Sequence, residues 1–325
     1  MNSNRFYLIM LALIVLGYLA TALIDNQYPF FAGFAILQLV IMALAWNILG
    51  GYGGYVNFGS AAFFGLGAYA AIFSYQFFGA PLIVQVLAGG FFCALLGLAT
   101  GYLTLRLRGV YFAIATLALL VVSETLIHNW DYVGGAAGAY LLPSRTLSIL
   151  GVLVVGQDGG LFSNNKEFLF FCQCILVLVT IIICRTIENS KFGRGLAALR
   201  DNEEAAESMG VPTLQLKLIA TTISAAIMGI TGSFFPYYMT FIEPTSAFSL
   251  DISVNALAMP LIGGTAYWLG PVLGAVVLGT LQQVATVTIS SEINLLIVGL
   301  FLVGFVIFAP DGFLGLIKKL GKRGD

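Results

Sequence analysis

Charge is scarce in this chain. Of 325 residues only 14 are Lys or Arg and 15 are Asp or Glu. A soluble domain wets its surface with roughly a quarter charged residues, so an ordinary soluble enzyme is excluded, as is a disordered chain. Histidine is scarcer still. The single His128 leaves no room for a two-histidine metal motif and gives a Ser-His-Asp triad one possible base. The four cysteines, Cys93, Cys172, Cys174 and Cys184, all lie inside apolar runs, where a thiol behaves as a small hydrophobe. Cys172 and Cys174, two apart on a helix, point to different faces, so neither a disulfide scaffold nor a metal site is expected. No Gly-x-x-x-x-Gly-Lys-Ser/Thr phosphate loop occurs, so the chain does not split ATP by that route. A net charge of −1 gives no electrostatic footprint for nucleic acid.

What is abundant is apolar sequence in long runs. They extend from Phe6 to Ile24, Phe30 to Leu49, Phe58 to Phe78, Leu82 to Leu105, Val110 to Ile127, Phe168 to Cys184 and Leu214 to Ile242, then to Ile262, from Leu269 to Ile289 and from Ile293 to Ala309. Runs of about 18 residues or more cross a hydrocarbon core as helices, whereas barrel strands alternate polar and apolar over about ten. The expectation is an all-α integral membrane protein, a polytopic bundle of about 8–10 transmembrane helices in one domain over 1–325. The first run, after Arg5, reads as an uncleaved span rather than a signal peptide because it is span-length and more spans follow. The stretch ending at Ile262 is too short to span unaided. Met259-Pro260 and Gly263-Gly264 predict broken or short helices near 252–274.

Basic residues accumulate on the cytoplasmic side of short loops. With the N-terminus inside and every run crossing, Arg145 and Lys166 fall outside, and the other twelve of the 14 basic residues fall inside. Both termini are then cytoplasmic, with a long outer loop over 128–167 and a charged inner loop over 187–212. The glycine spacings Gly50/Gly54, Gly97/Gly101, Gly134/Gly138 and Gly270/Gly274 suggest close helix packing. The turns Leu49–Tyr55 and Ile262–Tyr267 resemble each other, as an internal repeat would.

The inner loop concentrates the charge, with Glu188, Lys191, Arg194, Arg200, Asp201, Glu203, Glu204 and Glu207. Leu196–Met209 is rich in helix formers, Gly210 stands where a C-terminal cap belongs, and Pro212 prevents continuation. The plain reading is a solvated hairpin joining two spans. Against it stands the spacing Glu204-Ala205-Ala206-x-x-x-Gly210. This resembles the Glu-Ala-Ala-x-x-x-Gly signature with which ABC importer permeases offer a coupling helix to their ATPases.

The resemblance runs along the chain. Asn47–Gly59 with Ala62–Tyr69, Arg106–Leu117, Gly193-Arg194 through Arg200–Glu203, Leu261–Gly264 with Leu269–Gly274, and Ala309–Gly315 are similar, in order, to the branched-chain amino-acid ABC permease family, in its M-type branch. Two departures stand out: the extended importer pattern's Ile-x-Leu-Pro is absent at Ile219–Thr222, and Gly134–Gly138 lacks the family's polar Ser-Asn pair. The resemblance implies a transport subunit of a prokaryotic inner-membrane importer, not an enzyme, with no cofactor of its own and ATP consumed by partners. Its expected partners are a second related permease, two ATP-binding-cassette ATPases, an extracytoplasmic substrate-binding protein and the lipid bilayer. ATPase docking is expected at Gly193, Arg194, Arg200, Glu203, Glu204, Ala205, Ala206 and Gly210.

Ionisable groups at membrane depth are costly and mark functional sites. Glu124, the one charge in the run Val110–Ile127, is therefore a pathway candidate. Thr116, Asn255, Met259, Pro260, Gly263 and Gly264 are the other expected wall residues. The alternatives are an ion-coupled secondary transporter or channel without an ATPase, and a membrane enzyme. The scarcity of transmembrane carboxylates and histidine argues against both.

Overall fold

The computed structural model describes residues 3–288 except 24–25, 105–106, 108, 142–146, 150–151, 156–161 and 163, together with 296, 299–300 and 303–304. The expected run Ile293–Ala309, the Ala309–Gly315 motif, Arg106, Arg108, Arg145 and the four C-terminal basic residues fall wholly or mostly outside them.

The helices in chain order are α1 (Ser3–Leu23), α2 (Tyr28–Gly53), α3 (Ser60–Phe78), α4 (Leu82–Thr104), α5 (Val110–His128), α6 (Asn165–Asn189), α7 (Lys191–Asp201), α8 (Glu203–Ser208), α9 (Thr213–Ser233), α10 (Phe235–Met239), α11 (Pro244–Ala247), α12 (Leu250–Gly263) and α13 (Leu269–Thr288). Short strands β1 (Ala139–Tyr140) and β4 (Phe241–Ile242) pair antiparallel, as do β2 (Leu147–Ile149) and β3 (Val152–Val155). Among the described residues, eight helical segments are long and apolar enough to cross a membrane: α2, α3, α4, α5, α6, α9 with α10, α11 with α12, and α13. This is an all-α polytopic membrane protein. Helices dominate because lipid offers no hydrogen bonds to the backbone, and a helix satisfies its own.

The centre of the bundle is α9, packed against α2, α3 and α4. Small residues allow the approach. A Cβ on Gly229 would lie 2.6 Å from that of Cys93, one on Gly90 2.5 Å from Ile230, and one on Gly97 2.6 Å from Ala225. Hydroxyls stitch the contacts in the manner of membrane helices. Ser233 donates to the Gly67 carbonyl at 3.1 Å, and Ser224 to Ala45 of α2 at 2.7 Å. Of the four predicted glycine spacings, Gly97 and Gly270/Gly274 serve helix packing. Gly54 instead closes the C-terminus of α2 with φ 76°, and Gly134 and Gly138 belong to short 3₁₀ turns between α5 and β1. A further close seat, among Gly67, Gly89 and Gly229, has no such regular spacing because its glycines come from three helices.

Of the two expected breaks in 252–274, the one at Gly263-Gly264 is present and the one at Met259-Pro260 is corrected. α12 runs unbroken through Met259 and Pro260 to Gly263, and a second interruption lies upstream, at Phe248 and Ser249. A proline is tolerated there because neighbouring helices bury the segment, with Met259 and Pro260 both buried. The stretch spans because α11 precedes it, giving Pro244–Gly263 a length of 20 residues. The chain then turns at Gly264, with φ 108°, and α13 returns along α12 with Gly274 beneath Met259.

Between α2 and α3 the chain is non-helical, with Tyr55, Asn57 and Gly59 buried and Gly54 and Val56 exposed. The Trp46 indole donates to the Asn57 carbonyl at 2.7 Å. Trp46 lies two turns before the end of α2 and its indole reaches toward Gly50, so the chain folds back along the end of α2 before α3 begins. Three helices satisfy this backbone: Trp46 of α2, Thr116 of α5, whose Oγ1 accepts from Phe58 N at 3.1 Å, and Ser253 of α12, which donates to Phe58 O at 2.7 Å and accepts from Ala61 N at 2.9 Å.

The loops gather at two ends. At one end Arg185 lies over the Phe6 ring at 3.7 Å, Phe6 meets Trp268, Asn47 donates to Thr265 O, and Arg200 reaches Gly51 O. At the other end β1 pairs with β4 and Trp130 meets Phe73. Arg5, Arg185, Lys191, Arg194, Arg200 and Lys217 belong to the first end and Lys166 to the second. The similar turns Leu49–Tyr55 and Ile262–Tyr267 both lie at the first end, where Asn47, two residues before the first turn, donates to Thr265 O of the second.

Candidate functional site: the charged loop

The charged loop is two helices where the sequence predicts one over Leu196–Met209. The break is Asn202, whose backbone is extended at φ −161° and whose Oδ1 accepts from Ala205 N at 3.0 Å. Asn202 therefore caps α8, and Glu203 and Glu204 in the first turn complement the helix dipole. Ser190 caps α7 in the same way, accepting from Gly193 N at 3.1 Å. α8 ends as anticipated at Gly210, which adopts φ 82°. Its N–H donates to Glu207 O at 2.9 Å and that of Val211 to Ala206 O at 3.0 Å, the reciprocal pair of a Schellman ending. Thr213 donates to the Glu207 carboxylate at 2.6 Å, tying the turn to α9.

Three groups from separate parts of the chain anchor this loop. Lys217 Nζ, on the first turns of α9, lies 2.6 Å from Glu203 Oε1 and 2.9 Å from the Tyr55 hydroxyl. Tyr55 donates to Glu203 Oε2 through a short hydrogen bond, and its ring lies beneath the ammonium at 4.7 Å. The Lys217 side chain is 3% exposed and that of Glu203 15%, so removing one partner would cost about 3–5 kcal/mol. Glu203, expected among the docking residues, has its carboxylate engaged inside the chain.

The other expected docking residues divide. Gly193 is pressed against the backbone of Ile187, where a Cβ would lie 2.9 Å from the carbonyl carbon. Arg194 caps the end of α6 through Asn189 O at 3.4 Å, and Arg200 packs over Gly54, whose Cβ would come within 2.8 Å of its Cγ. Ala206 is buried. Glu204, Ala205 and Gly210 are exposed, beside Met209 at 84% exposure. The loop thus presents a small carboxylate-and-methyl surface on a fixed base. An open cleft of about 640 Å³ separates α7–α8 from the start of α5, lined by Gly54, Val56, Val110, Ala113, Arg200 and Asn202 among others.

The expected pathway residues do not converge on one cavity. Thr116 is buried and bonded to Phe58 N and Ala113 O. Asn255 accepts from Gln282 of α13 at 2.9 Å, while Met259, Pro260 and Gly263 are packed between α12 and α13 and Gly264 forms the turn. Glu124 is half-buried on the flank of α5. It shares a helical stripe with Ala113 and Val110, which line the cleft at the opposite end of the helix. No group of three or more His, Cys, Asp or Glu residues placed to hold a metal occurs among the described residues.

Nothing local in the sequence marks Lys217 and Tyr55. Lys217 counts there only among the twelve basic residues of the inner side, and its partner Tyr55 lies 162 residues away in sequence. The cap at Asn202 was legible in principle, since Asn followed by two glutamates is a helix-start signal.

A buried multi-helix core of span-length apolar helices with a polar loop mounted at one end defines a multi-pass membrane protein. Comparison with known proteins narrows this. The family model for the branched-chain amino acid transport system permease component matches residues 29–306, and the chain belongs to that family. It is 29% identical over 292 residues to the high-affinity branched-chain amino acid transport system permease protein LivM of Escherichia coli strain K12, covering 86% of this chain and 68% of that one. It is 25% identical over 287 residues to a probable branched-chain amino acid transport permease protein, LivH, of Methanocaldococcus jannaschii, covering 82% and 85%. It is also 26% identical over 185 residues to the autoinducer 2 import system permease protein LsrC of Yersinia pseudotuberculosis, covering 54% and 52%. No solved structure matches.

Proposed function

We propose that this chain is a permease subunit of an ABC importer in a prokaryotic cytoplasmic membrane, carrying branched-chain amino acids or a related small polar substrate inward. It works beside a second related permease, rests on two ATP-binding-cassette ATPases through 187–212, and receives substrate from an extracytoplasmic binding protein. The charged end of the bundle faces the cytoplasm, as do both termini, in keeping with the bias of basic residues. The chain binds no cofactor, and ATP is consumed by the ATPase partners.

The observation that carries this reading is the mounting of the loop. A solvated linker needs no buried ion pair, whereas α8 is fixed by Glu203 while Glu204 and Ala205 face outward. Force applied to such a knob moves the base it stands on. ATP-driven closure of the ATPases would draw α7–α8 with it, and the two permeases would rock to open the path to either side. The test is uptake by the reconstituted complex in liposomes. It is expected to require ATP on the loop side and to survive collapse of proton and sodium gradients. Uptake by this chain without ATPases, following an ion gradient, would establish the secondary-transporter alternative instead.

The path runs along the flank of α5, with Glu124 near its outer end to meet a substrate ammonium and the cleft beside Val110 and Ala113 at its inner end. Glu124→Gln removes a charge-assisted hydrogen bond, so KM for an amino acid should rise about tenfold. ATPase binding should be unchanged. An unaltered KM in a normally assembled complex would remove Glu124 from the path.

A further inference from the structure

We propose that Lys217 and Tyr55, with Glu203, form a strap that transmits movement of α7–α8 to the helices of the transport core; this rests on the permease reading above. The two residues are positioning residues, since neither touches substrate or nucleotide. Glu203 stands on α8 beside the outward-facing Glu204, so displacement of the knob reaches the Glu203 carboxylate within one residue. That carboxylate is held by Lys217 at 2.6 Å and by the Tyr55 hydroxyl. Lys217 belongs to α9, the central helix of the bundle. Tyr55 is itself buried and belongs to the non-helical segment 54–59, whose next residues bond to three further helices.

That segment is where one displacement becomes several. Asn57 O accepts from Trp46 of α2, Phe58 N donates to Thr116 of α5, and Phe58 O accepts from Ser253 of α12. The Tyr55 ring also meets Phe112 of α5 edge-on at 5.2 Å between centroids. Pulling on Tyr55 therefore loads α2, α5 and α12 together, while Lys217 loads α9. The neighbouring cleft of about 640 Å³ gives the loop space to move toward α5, with Glu203 and Tyr55 among its lining residues. Irregular backbone bonded to several helices, joined by charge to a loop with room to move, is suited to two discrete arrangements rather than to rigidity alone.

The test is the number of ATP molecules hydrolysed per substrate imported, measured on the complete complex with its ATPases and binding protein in liposomes. Lys217→Met should leave ATP hydrolysis by the assembled complex intact and raise that ratio about tenfold, the scale of one lost charge-assisted bond. Tyr55→Phe loses only the hydroxyl and should raise the ratio by a smaller factor, about threefold. Exchanging the charges with Glu203→Lys and Lys217→Glu together should bring the ratio back toward the wild-type value. A merely structural pair would lower uptake and hydrolysis in proportion, with the amount of assembled complex, and leave the ratio unchanged. That result overturns the strap. Should Lys217→Met fail to assemble, an unchanged ratio in Tyr55→Phe is equally decisive. A wild-type complex that imports without hydrolysing ATP would instead defeat the permease reading itself, so the two failures are distinguishable.

Discussion

Replacing Glu204 with arginine should abolish uptake while the chain still inserts and folds. Glu204 is exposed on α8, next to exposed Ala205 and Met209, and its neighbour Glu203 carries the internal anchoring. Its side chain lies on the outer face of the loop, and in the proposed docking the reversal would place a cation opposite a partner group suited to an anion. Loss of one close charge pair at an interface costs about 2–5 kcal/mol, and the lower figure is already about thirtyfold in affinity. Co-purification of ATPase should be lost along with uptake. Glu204→Gln, which keeps the shape, should fall between wild type and the reversal. Uptake at the wild-type level by a normally expressed Glu204→Arg protein would show that the loop is a linker after all.

The second large effect is predicted far from the loop. Gly67→Val should eliminate the folded protein rather than impair its transport. Gly67 of α3 lies directly on the backbone of Gly229 of α9, where a Cβ would come within 2.6 Å of the Gly229 Cα. Gly89 of α4 closes the same seat, with a Cβ there 3.3 Å from the Gly229 carbonyl oxygen. Overpacking a core typically costs about 1–3 kcal/mol, when flexible side chains can yield. Here the opposing atoms are backbone, so α3 and α9 must separate, and the Ser233–Gly67 bond at 3.1 Å goes with them. The measurement is the folded fraction extracted in mild detergent, by size-exclusion profile and thermal stability. Gly79→Val is the control. Gly79 ends α3 where an added Cβ would meet no atom within 4 Å, although its φ of 55° carries some local strain. A Gly67→Val protein as stable as wild type would contradict the central seat of α9.

The spans were legible in the sequence because bilayer thickness imposes a length on apolar runs, and the eight described crossing segments follow them. Local endings were legible too: Gly210 closes α8 because the αL conformation suits glycine. What the sequence did not disclose depends on partners distant along the chain. Pro260 looked like a breaker, but α12 continues through it in a buried setting where α13 packs through Gly270 and Gly274. Glu203 read as one of the docking residues, yet its carboxylate is engaged by a tyrosine 148 residues earlier and a lysine 14 residues later. The fold-back of 54–59 was hidden for the same reason, since Thr116 and Ser253 show nothing locally of the backbone they satisfy. Periodicity and propensity report on a residue's own neighbourhood, whereas a strap or a hub belongs to the assembled bundle.

The central claim is that this permease works only as part of an ATP-driven assembly mounted on its charged loop. Its most direct test is purification of the tagged protein from native membranes in mild detergent, with mass spectrometry of the proteins that remain bound. The account predicts a second permease and P-loop ATPases in stable proportion, with the ATPases lost from the Glu204→Arg protein. Recovery of the chain alone, competent for gradient-driven uptake in liposomes, would contradict it.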